Sequence, residues 1–177
     1  PISIDTRKSK VALEAVRAGA NIINDISMLE YDPEMIEVVR DADIPYVLTH
    51  NKLLKNNDSV AGQVKKDLVE KINFLNSNGI NNNKIIIDPG FGFNKNIDQN
   101  IELHRNLEQI SSIGLPVLVG TSRKSFLGKI ADDAYVSDRE EVSIASVIAS
   151  KEKGAKLFRV HDAVAVKNLL DFIEKLS

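Results

Sequence analysis

The sequence predicts an α/β fold in which strands and helices alternate along one domain, residues 1–177. Two observations predict it: six short apolar runs rich in β-branched residues recur along the chain, and amphipathic stretches with helix-capping residues separate them. Strand followed by helix six times implies parallel strands joined by right-handed crossovers. From periodicity alone, a six-stranded open doubly wound sheet and an incomplete barrel both fit, since a complete eight-unit barrel takes about 250 residues.

The predicted strands are mostly continuous apolar runs rather than alternating ones, as is typical of strands covered on both faces. Each run stops at polar residues, which mark the end of the strand. In chain order, the six strands are predicted at residues 2–4, 22–23, 46–48, 85–87, 116–119 and 157–160.

Helix-start and helix-stop residues bound the stretches between the strands. The first helix stops at Gly19, and the second opens with Asp32 as N-cap and Pro33 at its first position. Asp98 is predicted to cap the fourth helix, and the segment 137–140 is a capping box that opens the fifth. The third helix has an apolar face made of Val64, Leu68, Ile72 and Leu75. The helices with two predicted ends cover residues 9–18, 98–110, 141–153 and 163–176.

Composition excludes several classes of partner and chemistry. Lys and Arg total 23 against 25 Asp and Glu, so no overall basic field exists to hold nucleic acid or an anionic membrane. No apolar run approaches the roughly 18 residues of a membrane span, and no signal peptide is recognisable, which predicts a cytoplasmic protein. The absence of Cys removes disulfides, thiolate zinc sites and a Cys nucleophile. Pro1 in place of Met indicates that sequence upstream is missing.

Residues with useful chemistry are concentrated where the apolar runs stop. In both α/β architectures, ligands bind at the carboxyl ends of parallel strands, so we expect these residues to converge on one side of the molecule. Singly, each has a structural interpretation: Asp5 as a helix cap, Asn24 and Asp25 as partners of backbone groups, His50 and His161 as structural histidines. The strand-end segments are residues 5–6, 24–25, 49–50, 88–90, 121–125 and 159–162. His104 lies within a helical pattern, and we expect it to be solvated.

Three of these segments together suggest one ligand with two chemically different ends. In 88–93, Asp-Pro-Gly-Phe-Gly-Phe, an acid precedes glycines that permit close approach of a ligand. Carboxylates and an amide can pair with a ring edge that carries amino and ring N–H groups. Cations at 122–125 and at 159–161 suit a carbonyl and a phosphate. The combination predicts a nitrogen heterocycle linked to phosphate.

These segments closely resemble the dihydropteroate synthase family of the folate pathway. The resemblance implies a TIM (β/α)8 barrel of the pterin-binding type, here incomplete, with six β/α units that correspond to strands three to eight. The loops that hold Mg²⁺ and cover p-aminobenzoate in that family belong to the two absent units, so we expect no metal ligand in this chain and little synthase activity from it alone. The matching segments, in family order, are residues 3–6, 23–26, 88–93, 120–128 and 159–162.

The family reaction joins p-aminobenzoate to hydroxymethyl-dihydropterin diphosphate and expels pyrophosphate, and sulfonamides inhibit it. The resemblance implies that Lys124, Arg159 and His161 are catalytic residues, with Arg159 and His161 holding the diphosphate. It also implies a homodimer when the chain is complete. By the same resemblance the pterin is bound by Asp5, Asn24, Asp88, Lys124 and Arg159, and p-aminobenzoate is flanked by Phe93, Lys124 and Ser125.

One segment departs from the family pattern. Thr49 and Asn51 stand where the family usually has Met-His-Met or a near relative, which removes two soft apolar contacts from the pterin neighbourhood. Two alternatives therefore accompany the synthase interpretation. One is a pterin-binding module without synthase activity, such as a carrier, a regulator or a methyltransferase domain; the Ser-Arg-Lys-Ser segment at 122–125 favours the synthase. The other is a phosphosugar enzyme on the same barrel.

Overall fold

The strands follow one another in space in the order in which they occur along the chain. The computed structural model describes residues 1–55, 59–131, 135 and 139–176. The first four strands form one parallel sheet, the last two pair in parallel, and a parallel bridge between Ile87 and Val117 connects the two groups. All six predicted strands are confirmed. They are β1 (Ser3–Asp5), β2 (Ile22–Asp25), β3 (Tyr46–Thr49), β4 (Ile85–Asp88), β5 (Leu118–Val119) and β6 (Leu157–Phe158).

The helices are α1 (Ser9–Arg17), α2 (Met35–Ala42), α3 (Val60–Ser77), α4 (Ile97–Arg105), α5 (Leu107–Ser111), α6 (Ser125–Ile130), α7 (Glu140–Glu152) and α8 (Ala163–Leu176). A 3-10 turn, Asn82–Lys84, leads into β4. In the described parts of the chain, no helix is both long and apolar enough to cross a membrane.

Sequential strand order makes this a singly wound arc and not a doubly wound sheet. A doubly wound sheet reverses its strand order at a switch point, and no reversal occurs among the described strands. Neighbouring helices pack side by side, α1 against α2 and α3 against both α4 and α5. β1 and β6 lie at the two ends of the arc and are not paired with each other among the described residues.

The core lies between the strands and the helices. The predicted apolar face of α3 is confirmed, since its four residues are at most 5% exposed. They belong to one buried cluster with side chains of the strands, of which Tyr46, Leu48 and Ile87 are fully buried. Burying one such aliphatic side chain contributes about 1.5–3 kcal/mol. This packing holds the strand ends, and therefore the residues that follow them, in fixed positions.

Two helix starts differ from the prediction, and two helices were not foreseen. Asn96, not Asp98, caps α4, because its side chain accepts the Gln99 amide while the Gln99 side chain accepts the Asn96 amide. The predicted helix 98–110 is interrupted at Asn106, so α4 and α5 are separate. Asp32 accepts the Glu34 amide as an N-cap does, although regular helix begins at Met35. The unforeseen helices are α6 and the 3-10 turn.

Two further expectations have different outcomes. The capping box at 137–140 falls on residues 137 and 138, which lie outside the described residues; α7 begins at Glu140. His104 was expected to be solvated, and this is wrong. Its ring lies 5.7 Å from the Phe91 ring centroid, and its Nε2 lies 3.1 Å from Ser150 Oγ and 3.3 Å from Ser146 Oγ. The helix pattern could not reveal these partners, because they are 42 and 46 residues away in the chain.

Candidate functional site

Four of the residues proposed to bind a heterocycle form one hydrogen-bonded row. The Asn24 amide donates to Asp5 Oδ2 over 2.9 Å. Arg159 donates from Nη2 to Asp88 Oδ2 over 3.0 Å and from Nη1 to Asn24 Oδ1 over 3.4 Å. The row joins residues from β1, β2 and β4 to one that follows β6, so the arc brings together side chains that are up to 154 positions apart in the sequence, from Asp5 to Arg159.

Strand register explains how the row is assembled. Asp5 pairs with Asn24 across β1 and β2, and Thr49 pairs with Asp88 across β3 and β4. Paired residues of neighbouring strands point to the same face of the sheet. Asp5, Asn24 and Arg159 line an open cavity of about 400 Å³ on the inner face of the arc, a volume in the range of small-molecule sites.

Asp88 is the most buried acid of the row, at 1% exposure. Its Oδ1 accepts the Gly90 amide over 2.8 Å, and its Oδ2 accepts from Arg159. Burial raises the pKa of Asp88 above its ordinary value, and the Arg159 guanidinium, the Gly90 amide and the Lys124 ammonium partly offset that rise. The carboxylate is therefore an acceptor in a dry environment, where hydrogen bonds to charged groups are strong.

The loop 88–93 needs glycine at two positions, as the sequence suggested. Gly90 has φ +72°, and a Cβ there would lie 1.9 Å from the carbonyl oxygen of His50. Gly92 has φ +77°, and a Cβ there would lie 3.1 Å from Lys124 Cδ. Both conformations are strained for other residues. The glycines allow the loop to pass tightly between the chain after β3 and the Lys124 side chain.

Lys124 brings two of the residues proposed for p-aminobenzoate together. Its Nζ donates to the Phe91 carbonyl and lies 4.9 Å from the centroid of the Phe93 ring. Burial lowers the pKa of Lys124, and Asp88 opposes that shift. Ser125, the third member of that predicted group, lies exposed at the first position of α6, directly after Lys124.

His161 and Arg159 follow β6 and offer N–H donors at one end of the site. Ser122 Oγ accepts the His161 backbone amide over 3.3 Å and lies 2.8 Å from His161 Nδ1. Since the hydroxyl already accepts one proton, it can donate its own to Nδ1, which leaves the ring proton on Nε2. The His161 side chain is exposed and Arg159 is 41% exposed, so both can reach a ligand.

Asp25 has a structural role, which is the interpretation left open for it. Its carboxylate accepts the backbone amides of Ser27 and Leu29 and the Tyr46 hydroxyl. The buried carboxylate beside it raises the pKa of Tyr46 further above a value that burial has already raised. Asp25 therefore connects the turn after β2 to β3, and both of its carboxylate oxygens bond to protein groups rather than face a ligand.

The two departures from the family pattern differ in their surroundings. Thr49 is fully buried, and its Oγ1 is a buried side-chain polar atom without a hydrogen-bond partner among the described residues. The Asn51 amide donates to the Ile26 carbonyl over 2.8 Å, and its Oδ1 accepts from Asn94 over 2.9 Å. Asn51 therefore stabilises the loops after β2 and β4, whereas the Thr49 hydroxyl is left unsatisfied.

Sequence reasoning missed a buried charged network behind the loop 88–93. Lys95 Nζ lies 3.0 Å from His50 Nδ1, and His50 Nε2 lies 3.0 Å from Asp67 Oδ2. His50 was considered only as a structural histidine, and neither Lys95 nor Asp67 was considered. The one signal available was a lysine two residues after the glycine-containing loop, because the other members are 45 and 28 residues before Lys95 in the chain.

The described residues do not offer a site for the Mg²⁺ that the resemblance implies. Among them, no three His, Asp or Glu side chains are grouped so that they could hold a metal ion. The carboxylates of the row are engaged with an amide and a guanidinium instead.

Comparison with known proteins is consistent with this geometry. A family model described as Pterin binding enzyme matches residues 1–161. Dihydropteroate synthase of Bacillus subtilis is 38% identical over 176 residues, a match that covers 99% of this chain and 61% of that protein.

Solved structures give the same result. Xanthomonas albilineans dihydropteroate synthase with 4-aminobenzoic acid has a TM-score of 0.93 at 35% identity, covering 99% of this chain and 64% of that chain. The complex of that enzyme with 7,8-dihydropteroate has a TM-score of 0.94 at 36% identity, covering 99% and 66%. The chain thus spans 61–66% of the length of these relatives. Because such structures are TIM barrels, the six-strand arc is an incomplete barrel, and that prediction is confirmed.

Proposed function

Since the chain belongs to the family of pterin binding enzymes, we propose that it serves dihydropteroate synthesis in the folate pathway. The reaction is the condensation of p-aminobenzoate with hydroxymethyl-dihydropterin diphosphate, with release of pyrophosphate. The observation that supports it best is the row of Asp5, Asn24, Arg159 and Asp88 at the strand ends. The relatives are named as synthases, which favours this activity over a carrier, regulator or methyltransferase module and over a phosphosugar enzyme.

The row has the acceptors that a pterin ring edge needs. Arg159 presents two N–H donors of one planar group to Asp88 and Asn24. A 2-aminopyrimidinone edge also presents parallel N–H donors in a plane, and it can take the place of the guanidinium. In our proposal Asp88 and Asn24 accept from the ring, Asp5 fixes the Asn24 amide, and the Lys124 ammonium donates to the ring carbonyl.

The aminobenzoate position is proposed beside Phe93, on the same side of the loop 88–93 as Lys124. The Phe93 ring offers an aromatic face for stacking, and Lys124 lies over that ring. Ser125, exposed beside Lys124, offers a hydroxyl to the carboxylate of p-aminobenzoate. The amine is thereby held near the pterin, and such positioning lowers the barrier to bond formation. A sulfonamide would occupy the same position.

Charge on the departing pyrophosphate is proposed to be stabilised by Arg159 and His161. His161 directs its Nε2–H outward because Ser122 engages Nδ1. Arg159, once displaced from Asp88 by the pterin, can stack on the ring and donate to phosphate oxygens. Preorganised donors at the site of developing charge are a large contribution to catalysis. The carbon–oxygen bond to the diphosphate then breaks before the aminobenzoate nitrogen bonds to the pterin methylene carbon, and the released pyrophosphate takes up the proton that the nitrogen loses.

Titration calorimetry with three probes tests the proposal. We expect the chain to bind pteroate, to bind 4-aminobenzoate more weakly, and to show no heat with ribose 5-phosphate. Binding of the sugar phosphate in preference to pteroate would contradict the proposal. Turnover of hydroxymethyl-dihydropterin diphosphate by this chain is expected to be low. The Mg²⁺ requirement, the homodimer and the cytoplasmic location stay predictions from the sequence.

A further inference from the structure

A lysine, a histidine and a carboxylate form a buried network behind the loop 88–93, which we name the Lys95 network (Lys95, His50, Asp67). Lys95 Nζ lies 3.0 Å from His50 Nδ1, 3.0 Å from the Gly90 carbonyl and 3.1 Å from the Phe93 carbonyl. Lys95 is 9% exposed and His50 is fully buried. A buried ammonium is unfavourable unless its protons are all bonded, and here each of the three has an acceptor.

The contacts fix the charge of each member. Because His50 Nδ1 accepts from the ammonium, the ring proton lies on Nε2 and is donated to Asp67 over 3.0 Å. His50 is therefore neutral, and the Lys95 cation is balanced by the Asp67 anion. Burial and the nearby ammonium lower the pKa of His50 to about 4, which agrees with a neutral imidazole.

The loop is held from both sides by lysines. Lys95 binds the carbonyls of Gly90 and Phe93 from behind, and Lys124 binds the Phe91 carbonyl from the site. The Gly90 amide in turn donates to Asp88 Oδ1. Lys95 thus acts on both proposed subsites through the backbone. It acts on Asp88, the pterin acceptor, through Gly90, and on the aminobenzoate position through Phe93.

We propose that Lys95, supported by His50 and Asp67, is a positioning residue that holds the loop 88–93 in the conformation required for ligand binding. The inference rests on the proposed function, because it identifies Asp88 and Phe93 as parts of a pterin and aminobenzoate site. Lys95 itself lies behind the loop and acts through it. Its protonation state then controls how strongly the loop carbonyls are held. A neutral amine donates weaker hydrogen bonds than an ammonium, and it has two protons for four acceptors, which include the His50 carbonyl at 3.4 Å.

The pH range of this effect follows from the surroundings of Lys95. Burial lowers its pKa from 10.5 to about 7, Asp88 and Asp67 oppose that shift, and Lys124 adds to it. Lys52 is the other charged group beside His50. We expect ligand affinity to fall as pH rises through about 7, the pKa of Lys95. Because the unfolded chain retains the Lys95 proton up to its ordinary pKa of 10.5, this residue makes stability rise over the same range. Affinity and stability therefore change in opposite directions.

Pteroate titrations from pH 6 to 9 test the inference in the wild type, Lys95→Met and Asp67→Asn. We expect wild-type affinity to fall about tenfold across this range. Lys95→Met should bind pteroate about tenfold more weakly at pH 6. It should also lose the pH dependence that titration of Lys95 causes and keep only the part that is due to Asp88, Lys124 and the ligand. Asp67→Asn removes no contact to the loop but removes a charge that favours protonated Lys95, so its step should move to lower pH. Lys65→Met, at a lysine bonded to Ser112 on the surface, is the matched control and should keep the wild-type profile.

Amide exchange of residues 90, 92 and 93 provides a readout without ligand, since all three amides are bonded within the loop region. In Lys95→Met we expect faster exchange there, with β2 and β3 unchanged. The inference would be overturned if Lys95→Met bound pteroate with the affinity and pH profile of the wild type. If Lys95→Met does not fold, it would be overturned if the fall in affinity of Asp67→Asn occurred at the same pH as in the wild type. Failure of the wild type to bind pteroate would instead contradict the proposed function. In that case unchanged loop exchange in Lys95→Met overturns the positioning role, and faster exchange confined to the loop supports it.

Discussion

Asp88 carries more of the proposed ligand recognition than any other single residue, because it is a buried acceptor with one oxygen available to exchange partners. Asp88→Ala removes a hydrogen bond to a charged group, a loss of about 1.5–3 kcal/mol. We expect pteroate affinity to fall tenfold or more in calorimetric titration, while the thermal midpoint shows that the fold is kept. Asp98→Ala, at an exposed acid in the first turn of α4, is the control and should bind normally. If Asp88→Ala bound pteroate as tightly as the wild type, the strand ends around Asp88 would not be the pterin site.

Thr49 allows a prediction about stability with an internal control. Its buried hydroxyl has no hydrogen-bond partner in the described part of the chain, and an unsatisfied buried polar group is unfavourable by about 1–3 kcal/mol. Thr49→Val keeps the shape and should raise the free energy of unfolding by about 1 kcal/mol in urea titration. Thr121 is equally buried, but its Oγ1 accepts from Ser146 over 2.8 Å, so Thr121→Val should lower the free energy of unfolding by a similar amount. Equal effects of the two substitutions would contradict this explanation.

At the scale of elements, His104 connects α4 to α7 and to Phe91 of the loop 88–93. Substitution by alanine removes the contacts with Phe91, Ser146 and Ser150. We expect His104→Ala to lower the free energy of unfolding by about 1–2 kcal/mol, as is usual for a half-buried, bonded side chain. Burial also lowers the pKa of His104, so the wild type should lose part of this stability as pH falls below 6.5. Chemical denaturation at pH 7.5 and 5.5 measures both effects; a change under 0.5 kcal/mol at both values would show His104 to be a surface residue.

Strands and helices were predictable where the local sequence pattern determines them. They were less predictable where contacts with residues distant in the sequence determine them. The continuous apolar runs indicated all six strands, since short runs rich in β-branched residues are typical of strands covered on both faces. The break at Asn106 and the six-residue helix α6 carry no comparable pattern, because short helices are stabilised mainly by tertiary packing. The strand-end rule brought Asp5, Asn24 and Asp88 together correctly. It could not pair His50 with Lys95 and Asp67, whose contacts depend on the packing of α3 against the loops.

For the molecule as a whole, position in the arc determines how firmly each strand is held. β2 and β3 are hydrogen-bonded on both sides, whereas β1 and β6 each have one paired neighbour in the described structure. An unpaired strand edge leaves amides open to solvent. We expect native-state hydrogen exchange to be slowest in β2 and β3 and fastest in β1 and β6. Uniformly slow exchange in all six strands would indicate that the outer edges are covered in solution.

The contact between Arg159 and the two acceptors has a thermodynamic consequence for ligand entry. In the pterin site that we propose, the guanidinium is an intramolecular competitor of the ligand, tethered at a high effective concentration, so only the fraction of molecules with Arg159 displaced is able to bind. Apparent affinity is reduced by that fraction. Arg159→Met should therefore tighten binding of uncharged 6-hydroxymethylpterin and weaken binding of its anionic diphosphate, so that the two ligands respond with opposite sign in parallel titrations. The same side chain would then weaken the binding of pterins without a diphosphate and favour those that carry the leaving group, so that one arginine makes the site selective for the activated substrate.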